Sequence, residues 1–413
     1  MTSLSHRYSV AIACGGTGGH LFPGLAIAEK LAQAETRITL IISQKEVDQQ
    51  AISQVNDYQI LALPAVGFGR RNGVAFFRGF RASYLLTKRL FRHHAPDGVI
   101  AMGGFTSAAP ILAGKAVGAR TFLHESNAIP GRANRWLSWF VDHAFVGFPA
   151  ATSGLRRCPV RVSGTPVRAQ FRERAVANCR VELGLDASKP LVLVVGGSQG
   201  AAGINQIIAR CLPVLSQLHP DWQWLHLTGK RDAAWMKATY AKLGLRAVVR
   251  AFLDDIEVAL GGATLAISRA GASSLAELAA MRVPALLIPY PSATDNHQWF
   301  NAQAYAKTGA AQVLEESEAT QERVIGLFQD LVLNQTLREN MQAALAGWQR
   351  PDAADDITRH MLGVIASAQE GCSSSKSPRV RPPIRNIVME TNEAPLALRQ
   401  QRASAQEQPA RLW

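Results

Sequence analysis

At 413 residues the chain is long enough for two domains, and its 47% hydrophobic and 18% charged residues are typical of a well-packed soluble protein. It contains no apolar run of membrane-spanning length, and its N-terminus lacks the apolar core of a signal peptide. The five cysteines form no CxxC pair, so zinc-ligand spacing is absent and a reducing cytoplasm is favoured over a disulfide framework. The net charge of +13 is concentrated in two segments, which are described below.

The N-terminal stretch YSVAIACGGTGGHLFPGLAIAEKLA (8–32) predicts a strand, a glycine loop and a helix. The apolar run 10–14 indicates a strand buried on both faces of a parallel sheet, and apolar residues recur at helical spacing from Pro23 onward. The loop 15–20 between them (GGTGGH) offers backbone N–H groups and the positive end of the helix dipole to a phosphate. A tight turn with nothing bound is the alternative, since the loop lacks both the P-loop lysine and the third glycine of a dinucleotide-binding loop.

Residues 69–94 (GRRNGVAFFRGFRASYLLTKRLFRHH) carry seven lysines and arginines, no acid, and several large apolar side chains. Basic residues beside large apolar ones suit anionic lipid headgroups with shallow insertion. The alternative is an ordinary helix with a solvated basic face, whereas nucleic acid is disfavoured because no recognition motif accompanies the segment. The second basic segment, 371–413, is rich in Ser, Pro, Arg and Gln and is predicted to be disordered because it has little to bury.

Strand-like apolar runs alternate with helical ones in both halves of the chain. In the first half they follow at 38–42, 98–102, 120–123 and 144–146. The pattern restarts at 190–195, which is followed by a second glycine loop (GGSQG), a helix from about residue 204, and strands at 224–227, 247–249, 265–267 and 285–288. This alternation predicts an α/β fold with two Rossmann-like, doubly wound parallel-sheet domains, whose ligands bind at the carboxyl ends of the strands in a cleft between them.

The predicted domain bounds are 1–167 for an N-terminal domain and 168–370 for a C-terminal domain, with 167–189 carrying the junction and 371–413 as a tail. Four further stretches place polar residues after strands: MGGFTSAAP, HESNAIPGRANRW, SRAGASSLAELAAMRVPALLIPYP and DNHQWFNAQ. Thr106 and Ser107 are candidate helix caps in the first of them. Glu277 lies in an early helical turn of the third stretch, where an acid either binds a ligand or interacts favourably with the helix dipole.

Seven motifs occur in order over about 300 residues: GGTGGH, MGGFTSAAP, HESN, GTPVR, GGSQGAAGIN, SRAGASSLAE and DNHQWFNA. As an ordered set they closely resemble the MurG family of glycosyltransferases (glycosyltransferase family 28, GT-B fold) over roughly residues 8–365. The resemblance implies an enzyme at the cytoplasmic face of the bacterial inner membrane. It would transfer N-acetylglucosamine, with inversion, from UDP-N-acetylglucosamine (UDP-GlcNAc) to the muramyl 4-hydroxyl of lipid I, giving lipid II for peptidoglycan synthesis.

The implied partners are UDP-GlcNAc, lipid I with its polyprenyl pyrophosphate, and an anionic membrane surface met through residues 69–94, with no nucleic acid, no metal and no other cofactor. Residue roles follow position by position. Positions that contact the donor are matched by Arg168, Ser198, Gln298 and Leu253, the last through its backbone at the uracil. The segment that holds the nucleotide is matched by Ala272, Ser273, Ser274, Leu275, Ala276 and Glu277, with Glu277 as the acid at the ribose hydroxyls. Positions of the N-terminal domain that close over the sugar are matched by Thr17, Gly18, Gly19 and Asn127.

Inversion requires a general base at the acceptor hydroxyl. His20 is the first candidate, because the unperturbed pKa of histidine lies near neutral pH, and Glu125 is the second. The loop that carries His20 has a competing and compatible role as a cradle for the acceptor's pyrophosphate. Two departures from the family lie beside predicted site residues. Ser126 follows Glu125 where a glutamine is expected, and His297 precedes Gln298 where paired glutamines are expected.

Two other functions stay open at the level of the sequence. One is another two-domain UDP-sugar enzyme of the same architecture, such as a non-hydrolysing UDP-GlcNAc 2-epimerase, which has no need for the basic aromatic segment. The other is a membrane-associated nucleotide-sugar binding protein without catalysis.

Overall fold

The computed structural model describes residues 6–45, 58–64, 73–155, 157–197 and 200–373, with side chains through residue 370. Its strands are β1 (Tyr8–Ala13), β2 (Thr36–Ser43), β3 (Gln59–Leu63), β4 (Gly98–Ala101), β5 (Arg120–Glu125), β6 (His143–Val146), β7 (Val160–Val162), β8 (Leu191–Val195), β9 (Gln223–Leu227), β10 (Ala247–Arg250), β11 (Leu265–Ser268), β12 (Ala285–Leu287) and β13 (Gln312–Val313).

Its helices are α1 (Gly18–Gln33), α2 (Gly73–His93), α3 (Ala108–Ala116), α4 (Arg132–Leu137), α5 (Val176–Glu182), α6 (Ala202–Leu218), α7 (Ala233–Lys242), α8 (Ile256–Gly262), α9 (Ala272–Ala280), α10 (His297–Ala306), α11 (Gln321–Leu333), α12 (Gln335–Ala346) and α13 (Ala353–Ser373). Short 3-10 turns lie at Pro149–Gly154, Thr294–Asn296 and Glu316–Glu318.

The strands form two parallel sheets. The first has the order β3-β2-β1-β4-β5-β6-β7 and the second β10-β9-β8-β11-β12-β13. Both are doubly wound: strand addition reverses direction between β1 and β4 in the first sheet and between β8 and β11 in the second. The predicted pair of Rossmann-like domains is confirmed, and both belong to one compact unit, Met1–Gly371.

The apolar runs of the central strands reflect burial on both faces. Every residue of β1 is buried, and apolar clusters lie on both sides of each sheet. The chain crosses from the first sheet to the second after β7. At the other end α13 returns to the first sheet, where Ile357, Met361 and Ile365 pack among the residues of β1 and β4. The N-terminal sheet is therefore covered in part by the last helix of the described chain.

All strands predicted from the sequence are present, but three edge strands, β3, β7 and β13, were missed. Their residues are largely half-buried or exposed, so they lack the continuous apolar run that marks a central strand. The start predicted for α1 was wrong: the helix begins at Gly18, five residues before Pro23, which therefore lies inside it. Helix α13 extends three residues into the predicted tail, and residues 374–413 lie outside the described residues. None of the described helices has the length and apolarity that crossing a bilayer requires.

Candidate active site in the interdomain cleft

Two glycine-rich loops meet at the switch point of the first sheet, one after β1 and one after β4. The Thr106 hydroxyl donates to the Gly15 carbonyl (2.7 Å) and joins the loops. The Ser107 hydroxyl donates to the Gly103 carbonyl (2.6 Å) and accepts from the Gly103 N–H (3.1 Å). The expectation that these hydroxyls cap α3 was wrong, since they hold the loops in place instead.

The ring of His20 lies against the second of these loops. Gly103 and Gly104 have φ values of +109° and +78°, a region that favours glycine. A Cβ on Gly103 would lie 2.8 Å from Cε1 of His20, and one on Gly104 would lie 3.1 Å from Cδ2. Because neither glycine has a side chain, the imidazole of His20 packs directly on their backbone at the edge of the cleft.

Glu125, at the end of β5, is buried and bound by four donors. Its Oε1 accepts from the backbone N–H and the side-chain amide of Asn127 (2.9 and 3.0 Å). Its Oε2 accepts from the Gly131 N–H and the Asn134 amide (both 2.9 Å). These bonds hold the 126–131 loop and the start of α4 around the carboxylate, so Glu125 acts on the shape of this segment more directly than on a ligand.

His124, immediately before Glu125, is fully buried, and burial lowers its pKa, so it is neutral at pH 7. One ring nitrogen, Nε2, faces the Gly164 carbonyl (3.0 Å) and therefore carries the proton, while Nδ1 lies 3.2 Å from the Ser126 hydroxyl. The hydroxyl of Ser126, where the family resemblance leads us to expect a glutamine, is thus engaged with His124, although the residue lines the cleft.

On the opposite wall, α9 follows β11 at the switch point of the second sheet and exposes one face to the cleft. Ala272, Ser273, Ser274 and Glu277 line the cleft. The other two residues of the predicted nucleotide segment face away, because Leu275 is buried in the apolar core and Ala276 lies on the far side of the helix. Burial raises the pKa of Glu277 to about 7, an effect that nearby Arg168 reduces and Glu257 increases.

Arg168 and Gln298 are fixed by contacts that leave donor groups for a ligand. The guanidinium of Arg168 packs over the rings of Phe22 and Phe171, 4.7 and 5.2 Å from their centroids. The Gln298 oxygen accepts from the backbone N–H groups of Ala270 (3.2 Å) and Tyr290 (2.9 Å), so its amide nitrogen is the group that can bind a ligand. Leu253 also lines the cleft, and Ser198 lies outside the described residues.

A proline creates one of the contacts between the two walls. Within α1 the carbonyl of Gly19 would accept from the N–H of residue 23, but Pro23 has none. The Ser273 hydroxyl, from the opposite domain, donates to this carbonyl instead (3.1 Å). The predicted nucleotide segment and the first turn of α1, which carries His20, are therefore joined directly.

Two side-chain amides, one of them fully buried, form a second bridge between the walls. Asn301, on α10, donates to the side-chain oxygen of Asn127 (3.0 Å) and to the Ala270 carbonyl (3.1 Å), and accepts from the Ala128 N–H (2.8 Å). Asn127, predicted at the sugar, is thus held between Glu125 and the second domain.

An ion-pair bridge closes one end of the cleft. Asp295 binds Arg132 at 2.8 Å and Arg135 at 3.1 Å, both from α4 of the other domain. Hydrogen bonding to Arg132 lowers the pKa of Asp295. Asp295 and Asn296 both have φ of 52°, which is unusual for residues other than glycine, so the loop holds the carboxylate in place with local strain.

Together these walls enclose a single cavity of about 1010 Å³. It brings together the following described residues of the predicted site: Thr17, Gly18, Gly19, His20, Glu125, Asn127, Arg168, Leu253, Ala272, Ser273, Ser274, Glu277 and Gln298. No group of three or more His, Cys, Asp or Glu side chains within the described ranges is arranged to hold a metal ion.

Sequence reasoning missed several residues of the cleft. Arg269 is buried, donates to the carbonyls of Ile288 (3.0 Å) and Pro289 (3.2 Å), and pairs with Glu316 (2.5 Å). Its position directly after β11 is the signal that could have identified it. Asn301 had no comparable signal, because its partners come from the other domain.

One end of the cavity is aromatic. Phe76, Phe77 and Phe80 of α2 line it together with Trp136 of α4. Phe77 is 67% exposed and Trp136 47%. An apolar wall that continues to the surface therefore lies beside the loop of His20.

Comparison with family models matches both halves of the chain. The glycosyltransferase family 28 N-terminal domain matches residues 10–146, and the glycosyltransferase family 28 C-terminal domain matches residues 191–357.

Among curated proteins, similar relatives are called UDP-N-acetylglucosamine–N-acetylmuramyl-(pentapeptide) pyrophosphoryl-undecaprenol N-acetylglucosamine transferase. That of Syntrophus aciditrophicus (strain SB) is 34% identical over 362 residues, covering 86% of this chain and 98% of the relative. That of Sorangium cellulosum (strain So ce56) is 35% identical, covering 86% and 88%.

Among solved structures, the crystal structure of MurG from Acinetobacter baumannii matches with a TM-score of 0.68 and 27% identity, covering 86% of this chain and 99% of that one. A UDP-GlcNAc 2-epimerase from Neisseria meningitidis bound to UDP-GlcNAc matches with a TM-score of 0.61 over 86% of this chain and all of that one, but at 12% identity, which shows a shared fold alone.

Proposed function

The chain belongs to the MurG family within glycosyltransferase family 28, and we infer from this membership that it transfers N-acetylglucosamine from UDP-GlcNAc to lipid I, giving lipid II for peptidoglycan. The observation that carries this function is the composition of the cleft. A nucleotide-type wall with Glu277, Gln298 and Arg168 faces a wall with a histidine and a phosphate-friendly glycine loop, within one cavity. A donor and an acceptor therefore have separate walls and a shared centre.

We propose that UDP lies along α9 of the second domain. The carboxylate of Glu277 accepts from the two ribose hydroxyls, as acids do in dinucleotide-binding folds. The first N–H groups of α9 and the guanidinium of Arg168 bind the diphosphate, and the amide nitrogen of Gln298 binds the donor beside them. The backbone of Leu253 meets the uracil at the other end.

The reaction we propose is a single in-line displacement. The muramyl 4-hydroxyl attacks the anomeric carbon, the bond from that carbon to the UDP oxygen breaks, and the hydroxyl proton passes to His20. The charge that develops on UDP is stabilised by Arg168 and the N-terminus of α9. Gly18 and Gly19 cradle the acceptor's pyrophosphate from the first turn of α1.

The geometry favours His20 over Glu125 as the base. Both Glu125 oxygens already accept two hydrogen bonds each, and these bonds hold the loop that carries Asn127. We therefore propose that Glu125 positions the loop. His20→Ala should lower kcat by about a hundredfold or more with an unchanged melting temperature. Glu125→Gln puts an amide N–H₂ against existing donors and should lower both kcat and the melting temperature. Nearly full kcat in His20→Ala would refute the assignment of the base.

One assay separates the candidate functions. UDP release from UDP-GlcNAc is measured with and without a lipid I analogue. A transferase releases UDP only when the acceptor is present, an epimerase converts the sugar nucleotide without it, and a binding protein releases no UDP in either case.

We further propose that α2 meets an anionic membrane surface, which locates the enzyme peripherally at the cytoplasmic face of the bacterial inner membrane. Over its described residues, 73–93, α2 carries five arginines and lysines with no acid, and Val74, Phe77 and Leu85 are 50% or more exposed. Its aromatic residues continue into the cavity, so the polyprenyl chain can stay near the membrane while its pyrophosphate enters the cleft.

A vesicle assay tests this surface. Phe77→Ser combined with Arg81→Gln should weaken binding to vesicles that contain anionic lipid by about tenfold, since burial of one aromatic ring and one charge near the surface each contribute on the order of 1 kcal/mol or more. Residues 70 and 71 lie outside the described residues. The charge of the tail is tested separately by deleting residues 371–413. Unchanged vesicle binding in the α2 double variant would refute this surface.

A further inference from the structure

A second cavity, of about 790 Å³, lies on the other side of α9, between the linker that follows β7 and the end of α12. We call it the hinge cavity, because its walls come from residues 164–176, where the chain crosses between the sheets, and from residues 342–351, where it begins to return. Its volume falls within the range of small-molecule sites in proteins. Nothing in the proposed transfer reaction uses this space.

The hinge cavity is strongly basic. Its lining includes five arginines but only one carboxylate, Glu173, and the arginines are Arg168, Arg172, Arg174, Arg282 and Arg350. Arg174 is compensated by Glu182 at 3.5 Å and Glu257 at 3.9 Å.

Three of the other arginines have no such compensation. Within the described part of the chain, Arg172, Arg282 and Arg350 form no ion pair with a carboxylate. The guanidinium of Arg282 binds the Gln349 side-chain oxygen (3.1 Å), and that of Arg350 binds backbone carbonyls of Gly347 (2.9 Å) and Gln349 (2.6 Å). The cavity therefore keeps positive charge that an anion would neutralise.

Arg168 connects the hinge cavity to the donor site. It lines both cavities, and its Nε is buried and donates no hydrogen bond to a described residue. The same side chain lies close enough to Glu277 that its charge partly offsets the rise in the pKa of that carboxyl caused by burial. An anion in the hinge cavity would attract the guanidinium that the donor diphosphate also needs.

We propose that the hinge cavity binds a small phosphate-bearing anion and that Arg168 couples this binding negatively to donor binding. Phosphate groups suit the site because several guanidiniums can each donate paired N–H groups to their oxygens. Binding at the hinge weakens UDP binding in the cleft, and by linkage UDP weakens binding at the hinge by the same factor.

The test is a calorimetric titration of inorganic pyrophosphate into the full-length protein saturated with UDP, which occupies the donor site. The expected result is binding that weakens by about tenfold or more in the double variant Arg172→Gln/Arg282→Gln, since each guanidinium removed takes charge-assisted hydrogen bonds with it. Arg210→Gln is the matched control, because Arg210 is exposed on α6 and lines neither cavity, and it should bind as the wild type does. The single variant Arg172→Glu should also weaken pyrophosphate binding. Because Arg172 is exposed and Arg282 is left unchanged, this loss cannot come from a folding defect at residue 282.

The coupling has its own readout. Saturating pyrophosphate should raise the Kd of UDP several-fold in the wild type and leave it unchanged in the double variant. Equal pyrophosphate affinity in the wild type and the double variant would overturn the proposal and assign the anion to the glycine loop of α1. Absence of binding at millimolar pyrophosphate, both with and without UDP, would overturn it too. If UDP itself fails to bind, the donor assignment fails, and the same comparison of variants without UDP still decides whether the hinge cavity takes the anion.

Discussion

The bond between Ser273 and the Gly19 carbonyl offers a test of how the two domains meet. Pro23 cannot donate to this carbonyl within α1, and the hydroxyl of Ser273 does so from across the cleft at 3.1 Å. Ser273→Ala removes the donor. Pro23→Ala supplies a competing N–H inside the helix. Both changes should weaken the same contact from opposite sides.

The size of the effect follows from the kind of bond. A neutral hydrogen bond contributes about 0.5–1.5 kcal/mol, and Ser273 is half-buried, so the lower part of that range applies. Ser273→Ala should therefore raise KM for UDP-GlcNAc by roughly two- to fivefold with little change in melting temperature. Pro23→Ala should raise KM by part of that factor. It should also raise the melting temperature, because a proline inside a helix costs on the order of 3 kcal/mol.

The assay is steady-state kinetics at a saturating lipid I analogue for the wild type, both single variants and the double variant, with Ser216→Ala on α6 as the control. The double variant should raise KM no more than Ser273→Ala does alone, because both changes act on one carbonyl. Multiplicative effects of the two changes on KM would refute the reasoning, since they would mean that Ser273 contacts the donor independently of Gly19.

Three further predictions concern the same cleft. The pKa of Glu277 is about 7 and the ionised form binds the ribose, so UDP affinity should fall by up to about tenfold per pH unit as pH drops below 7. Glu277→Gln should abolish this dependence. Titrations of UDP across that pH range would contradict the prediction if the wild type and the variant behaved alike. Gly104→Ala should displace the His20 ring and lower kcat by more than about tenfold with little change in donor KM. An unchanged kcat would mean that the packing of His20 on this glycine does not matter for the reaction. Asp295→Asn should raise donor KM about two- to fivefold at low salt by weakening the pair with Arg132, and a shift that persists undiminished at high salt would argue against an electrostatic bridge.

The central layout of the site could be predicted because it follows from local patterns. A buried strand followed by glycines and a helix occurs after β1 and again after β8, and the strand order puts both loops at switch points. His20 was a candidate on the same basis, since its loop follows a strand, whereas the role of Glu277 rested on the family resemblance, because its position in an early helical turn suited a ligand and the helix dipole equally. The amphipathic basic character of α2 was likewise visible in its sequence.

The contacts between domains could not be predicted, because they join residues far apart in sequence. Asn301 meets Asn127 and Asp295 meets Arg132 only when the two sheets face each other. For Glu125 the limit is different. Its donors lie within nine residues, but the sequence does not show that this segment turns back onto the carboxylate and occupies the lone pairs of a group that was a candidate base. The helical state of Gly18 and Gly19 was missed because glycine has low helix propensity.

The most direct test of the account is identification of the product. Purified protein is incubated with UDP-GlcNAc and a lipid I analogue, and the lipid fraction is analysed by mass spectrometry and by NMR of the new anomeric centre. We predict a product heavier by one N-acetylhexosamine, linked to the muramyl 4-hydroxyl with inverted configuration, and formed only when both substrates are present. Conversion of UDP-GlcNAc to another UDP-sugar with the lipid I analogue unchanged would contradict it.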